Sequence, residues 1–249
     1  MPRLRTYCWQ IRNEMGLSRR EADALIGISS SYIGQIETGE RVPSFEMVEK
    51  IISGYGLTWA QAQHMRELRA SPVELIATDQ LRADVHQSPN LLAHLADLED
   101  QGVHAVVADP LWNVLAANPS FWQAFPGLGP TDNLLAWYFG PTAKELVIEW
   151  KTEALHVVAT AKGAVGRHRD SPQARQFLNQ MSPDHEFSNI WINSTRIAYG
   201  RGADDYLHWR EPGTGDPYSL SLQVSEVSEA RDVLLGYIFR KPYAGPPLT

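Results

Sequence analysis

The chain has 249 residues, 43% of them hydrophobic, with eight Trp and one Cys, which is enough for two packed domains and excludes a disulfide-built scaffold. No apolar run approaches the ~18 residues that a membrane span needs and no signal peptide opens the chain, so a soluble, cytoplasmic protein is expected. The formal charge of −7 argues against a polyanion partner until it is split: residues 1–70 carry nine Lys+Arg against eight Asp+Glu and the remainder 13 against 21, so only the N-terminal part suits nucleic acid.

Residues 3–15 place Leu4, Tyr7, Cys8, Ile11 and Met15 three and four apart, the period of a helix with one buried face. Cys8 then lies on that face as a buried thiol. Ser18 followed by Glu21 makes a capping box, Ala22, Leu25 and Ile26 form the apolar side of a short helix, and Gly27 ends it. Ser29 caps the next helix, with Tyr32, Ile33 and Ile36 as its stripe, Gly39 as its stop and Pro43 against an early restart. Two helices of about eight residues around a glycine-bearing turn match a DNA-binding helix-turn-helix. Ser44 caps a fourth helix, with Val48, Ile51 and Ile52 inward and Gly54 as its stop; Thr58 caps a fifth, with Trp59, Ala62 and Met65 inward. Residues 1–70 thus read as a five-helix domain. Residues 71–89 read as a connecting segment, weakly helical through Val73, Ile76 and Leu81, between Pro72 and Pro89.

A second domain is expected over 90–243. Leu91, Leu92, Leu95 and Leu98 give an amphipathic helix over 90–101. Ala105–Val107 form a strand, Asp109-Pro110 a turn, and Trp112, Val114 and Leu115 a second strand leading to a short helix capped at Asn118 or Ser120. Residues 141–192 are helical, and Arg167-His168-Arg169-Asp170 reads as a solvated helix end. Strands are expected at Arg196–Tyr199, Tyr206–Glu211, Tyr218–Val227 and Val233–Arg240. Within the third of these Leu220, Leu222 and Val224 share a face opposite Ser219, Ser221 and Gln223, as in a sheet with one buried side. Residues 244–249 read as a loose tail.

The segment Gly-Ile-Ser-Ser-Ser-Tyr-Ile-Gly-Gln-Ile-Glu-Thr-Gly (27–39) resembles the helix-turn-helix of phage-repressor-like (XRE-type) regulators. The resemblance implies that Arg19 sits near phosphate, that Ser30, Ser31 and Gln35 read base edges, and that Arg41 touches the DNA backbone. Ser18, Arg20, Ser29 and Thr38 complete the candidate DNA-binding set. Two residues depart from the family: Asp23 stands where alanine is usual, and Gly34 lies inside the recognition helix. Downstream, strand, Asp turn, strand and Asn-capped helix resemble the opening of a PAS domain. More specifically, VLAANPSF (114–121), NLLAWYFGP (133–141), Glu149-Trp150, Ser182-Pro183, Phe187 and Trp191 resemble the MmyB-like ligand-binding domain, from which Ala136 departs where arginine is usual. That resemblance implies an α+β protein: a five-helix head followed by a PAS-like antiparallel-sheet domain with inserted helices. It also implies a cavity for an apolar, fatty-acid-like ligand.

Candidate walls for such a cavity are Trp112, Phe121, Trp122, Phe125, Trp137, Phe139, Trp150 and Trp191, with Asn118 beside them; the bland alternative is that these rings fill a core. Arg196, Arg201, Arg210 and His208 are candidates to hold a ligand carboxylate, with Arg196 in the proposed set. The eight histidines show no metal-ligand spacing, and no enzyme motif is present. The expected function is ligand-responsive transcription regulation by a homodimer on double-stranded DNA, with a small apolar effector, no other cofactor, no metal and no membrane. The alternatives are a flavin- or haem-binding redox or light sensor and a protein-interaction module.

Overall fold

The computed structural model describes residues 2–129, 132–228 and 230–247; Met1, and Leu248 and Thr249 of the expected tail, lie outside the described residues. Five helices open the α+β chain where five were expected: α1 (Leu4–Glu14), α2 (Arg19–Ile26), α3 (Ser30–Thr38), α4 (Phe45–Gly54) and α5 (Trp59–Arg69). Next come α6 (Thr78–His86), α7 (Pro89–Asp100), β1 (His104–Ala108) and β2 (Val114–Ala117). Helices α8 (Pro119–Ala124), α9 (Leu134–Trp137), α10 (Pro141–Leu146), α11 (Trp150–Arg167), α12 (Pro172–Met181) and α13 (His185–Asn193) follow. The chain then ends in β3 (Leu207–Arg210), β4 (Pro217–Glu226) and β5 (Leu234–Lys241). These elements form two compact units, one of Met1–Glu74 and Val158–Tyr199, the other of Leu75–Val157 and Gly200–Thr249.

In the first unit the helix ends follow the sequence signals. Ser18 and Glu21 close the capping box of α2, and Thr58 with Gln61 close another at α5. Gly27 (φ +67°) and Gly39 (φ +84°) terminate α2 and α3 in the left-handed region that a Cβ resists. Gly54 differs from its expected role as a stop. Tyr55 is the C-cap of α4, and a Cβ on Gly54 would stand 2.0 Å from Cγ2 of Ile26; the glycine lets α4 close on α2. The core joins Leu4, Tyr7, Cys8 and Ile11 of α1 to Ile26, Ile33, Ile36, Ile51 and Met65. Met15, Leu25 and Trp59, expected inside, are exposed, Trp59 at 70%. Each lies at the margin of its stripe, and helices this short bury only the central seam.

Residues 158–199 pack into the same unit. Ile197 joins the core of the five helices. The Tyr7 hydroxyl donates to the Thr195 carbonyl at 3.1 Å, Gln10 Nε2 to the Ile192 carbonyl at 2.8 Å, and Gln61 Nε2 to Thr195 Oγ1 at 3.2 Å. Arg196–Tyr199 is not a strand: Ala198 N bonds the Ala159 carbonyl of α11 at 3.1 Å. Thr195 and Ile197 are buried and Arg196 exposed, so a chain lying on a helix shows the same alternation as one lying on a sheet. Of residues 167–170, expected as a solvated end, Arg167 and Asp170 are exposed, but the two between them are not free. His168 is buried with Nδ1 3.0 Å from the Val73 carbonyl, and Arg169 donates to the carbonyls of Glu67, Ala70 and Gly166, closing the C-terminus of α5.

The second unit holds a five-stranded antiparallel sheet in the order β2-β1-β5-β4-β3. Ala105 and Val107 of β1 pack with Leu81 and Val85 of α6 and Leu95 and Leu98 of α7. Val106, pointing the other way, is equally buried. Leu92, expected inward, is exposed. In β4 the single buried side does not hold: Tyr218, Ser219 and Leu220 are all buried, while Val224 is exposed. Ser219 tolerates burial because its hydroxyl is 2.9 Å from both His208 Nδ1 and the donating amide of Ala244. The turn between β1 and β2 is held by buried Asp109, whose carboxylate accepts from Leu111 N, Asn113 N, Asn113 Nδ2 and Thr78 Oγ1 at 2.8–3.0 Å.

Candidate DNA-binding groove and effector region

Ser18 and Ser29 cap α2 and α3, Ser29 by accepting from Tyr32 N at 3.3 Å. The first turns of both helices, with their positive dipole ends, open on one concavity of about 580 Å³ lined by Arg12, Ser18, Arg19, Arg20, Ser30 and Ser31. Five of these are sequence candidates; Arg12 of α1 is not. Three guanidiniums and two helix N-termini around this hollow suit the phosphate oxygens of a duplex.

One carboxylate organises this wall. Glu37, its side chain almost wholly buried, accepts from Arg12 Nε at 2.6 Å and Nη2 at 2.9 Å, and from Arg19 Nε at 2.9 Å. Arg12 also donates to the Leu17 carbonyl at 2.6 Å. The cluster ties α1, α2 and α3 together. Burial pushes the Glu37 carboxyl up, but hydrogen bonds from Arg12 and Arg19 outweigh it, leaving its pKa below the usual carboxylate range. Arg19 is therefore half neutralised within the fold, whereas Arg20 has no ion-pair partner among the described residues. The Arg19 guanidinium also lies where a Cβ of Gly34 would meet it at 3.5 Å, so Gly34 faces Arg19. Gln35 is part-exposed and Thr38 exposed on α3, and Arg41 stacks its guanidinium 5.2 Å from the Tyr32 ring. Arg12 and Glu37 are legible in the sequence only as charges one helix apart, because their pairing is tertiary.

The aromatic candidates divide between the units. In the second unit Phe121 stacks on Phe125 at 4.4 Å and meets Trp122 at 5.4 Å. Phe125 lies 5.2 Å from Trp137 and 4.7 Å from Trp209, and Trp137 stacks on Trp209 at 5.4 Å. Trp150 meets Phe139 at 5.7 Å and donates to the Tyr138 carbonyl at 2.7 Å. Trp112 sits in the β1–β2 turn at φ +67°. Trp191 and Arg196 belong to the first unit, where Trp191 stacks on Phe187 at 5.4 Å and Arg196 is exposed.

Trp209, at the centre of the cluster, is absent from the sequence candidates. Its signal is the alternation of buried Leu207 and Trp209 with His208 and Arg210. Its indole N–H is buried without an acceptor. Asn118 has its amide committed to the fold: Oδ1 accepts from Ala105 N at 3.0 Å and Phe121 N at 3.1 Å, and Nδ2 donates to the Val103 carbonyl at 2.8 Å. Asn133, in the other motif of the domain, likewise caps α9 and bonds the Leu111 carbonyl. Arg201, a candidate carboxylate anchor, already holds one. It donates to Glu153 within a buried pair, and burial raises the Glu153 pKa against the pull of Arg201. No group of residues able to hold a metal ion exists among the described residues, and none of their helices is long and apolar enough to cross a membrane.

No curated protein matches the chain. Residues 10–61 match the family described as helix-turn-helix, and residues 87–241, more than half of the chain, match the family described as MmyB-like transcription regulator ligand binding domain. The chain belongs to the MmyB-like transcription regulators, ligand-responsive DNA-binding proteins with a helix-turn-helix at the N-terminus.

Proposed function

We propose that the protein acts as a homodimer on a near-palindromic operator, with α3 of each copy in successive major grooves about 34 Å apart. The observation that carries the DNA contact in this reading is the hollow shared by the first turns of α2 and α3, lined by Arg12, Arg19 and Arg20 with Ser18, Ser30 and Ser31. Arg19 and Arg20 bind phosphate there, with Ser18, Ser29, Thr38 and Arg41 supporting contacts to the backbone. Ser30, Ser31 and Gln35 meet base edges, Gln35 through an amide suited to adenine N6 and N7. Sequence selection from a random duplex library tests it. Gln35→Ala loses about 1–3 kcal/mol on the selected site and relaxes one base pair, while Arg20→Ala weakens all duplexes alike and lowers the salt slope by about 1. A uniform loss for Gln35→Ala together with an unchanged slope for Arg20→Ala sinks these assignments.

The effector in this reading is a small apolar molecule such as a fatty acid, held by the ring-rich second unit. Its support is the family match together with the concentration of Phe121, Trp122, Phe125, Trp137 and Trp209 in one cluster. The strand order supports a PAS-type domain. Mass spectrometry of a denaturing extract from the purified protein is the test: a stoichiometric long-chain acid or similar molecule supports the reading, and an empty extract with no binding of added dodecanoic acid removes it.

A further inference from the structure

Asp23 of α2 holds both ends of the turn between the two helices. Its carbonyl accepts from the amide of Gly27 at 2.8 Å, the left-handed residue that ends α2. Its carboxylate Oδ2 accepts from the amide of Ser30 at 3.0 Å, the first residue of α3. Ser29, the N-cap, takes the amide of Tyr32 instead. Two of the amides that a helix start leaves unpaired are thus filled from two different elements, and only the Asp23 bond reaches across from α2. Asp23 is itself part-buried, and Ser30 and Ser31 line the phosphate-facing hollow.

We propose that Asp23 is a positioning residue for sequence reading: its carboxylate sets the start of α3 against α2, and so the angle at which Ser30, Ser31 and Gln35 meet the bases. This rests on the DNA-binding reading above. The carboxylate also places a negative charge beside a hollow built for phosphates, which lowers affinity for every duplex alike. The two effects separate in asparagine, whose amide oxygen accepts the same bond without the charge.

The experiment is selection of the full chain, as wild type, Asp23→Asn and Asp23→Ala, on a random 24-base-pair duplex library, with amide exchange of Ser30 followed by NMR. Asp23→Asn keeps Ser30 protected, enriches the wild-type consensus and binds all duplexes about twofold or more tighter at low salt. Asp23→Ala loses Ser30 protection, and its preference for the consensus over scrambled duplex falls about fivefold, the scale of one hydrogen bond. If Asp23→Ala keeps full discrimination, or Asp23→Asn loses it, the proposal is overturned. If Asp23→Ala does not fold, the Asp23→Asn result alone decides. A wild type that enriches no sequence instead removes the DNA-reading assignment itself, before any variant is compared.

Discussion

At the scale of single residues, two departures from the repressor-like pattern have local causes. Asp23 finds a donor in Ser30, and Gly34 faces the Arg19 guanidinium at 3.5 Å or more from its absent Cβ. That distance is ordinary van der Waals contact, so a methyl group fits. Gly34→Ala is expected to stabilise the first unit by up to about 1 kcal/mol, the helix propensity difference, read as a higher urea midpoint. A lower midpoint shows that Arg19 cannot give way. Asn118 and Asn133, which stand in the recognisable motifs, cap α8 and α9 and tie down strand and turn backbone.

At the scale of elements, α11 carries an unusual residue. Lys162 is 5% exposed; its ammonium donates to the Ser194 carbonyl and lies 5.6 Å from the Trp191 ring, and no carboxylate pairs with it among the described residues. Burial lowers its pKa to about 8, against the pull of the Glu14 charge. A folded-state value below the unfolded one means that at neutral pH the ammonium opposes folding. Lys162→Met fills the same volume without the charge and is expected to stabilise the unit by about 1–3 kcal/mol at pH 7, measured as a rise in Tm. The gain shrinks as pH climbs from about 8 toward 10.5. A fall in Tm would falsify the account of Lys162 as a cost.

At the scale of the whole molecule, stability in acid is expected to depend on His64. It is 2% exposed, meets Tyr7 edge-on at 4.8 Å, and has a buried Nδ1 without a partner. Burial first, then the charges of Lys162 and Arg169, lower its pKa from 6.5 to about 3. The unfolded chain therefore takes up the proton first. The contribution is complete above about pH 6.5 and is lost as pH falls toward 3, by at most about 1.4 kcal/mol per pH unit. Replacing the imidazole, as in His64→Phe, should flatten that part of the profile between pH 6.5 and 5 in urea melts. Parallel profiles for variant and wild type would locate acid sensitivity elsewhere.

The sequence by itself determined the local events and the family. Ser18, Ser29, Ser44 and Thr58 cap where side-chain oxygens precede helical stripes, and Gly27 and Gly39 end helices because only they take positive φ without strain. Three of the last four expected strands match β3, β4 and β5 within two residues at each end. These signals act over a few residues and need no partner. Tertiary structure decided what long-range contact alone can set. Residues 158–199 join the five-helix head as one compact unit, and Arg196–Tyr199 lies on α11 and pairs with no strand. Arg12 and Arg19 converge on Glu37, and Trp209 centres the rings of the second unit. Period-two alternation reports only that one side of an extended chain is covered, and a charge or a ring in a sequence names no partner until the fold brings one within reach.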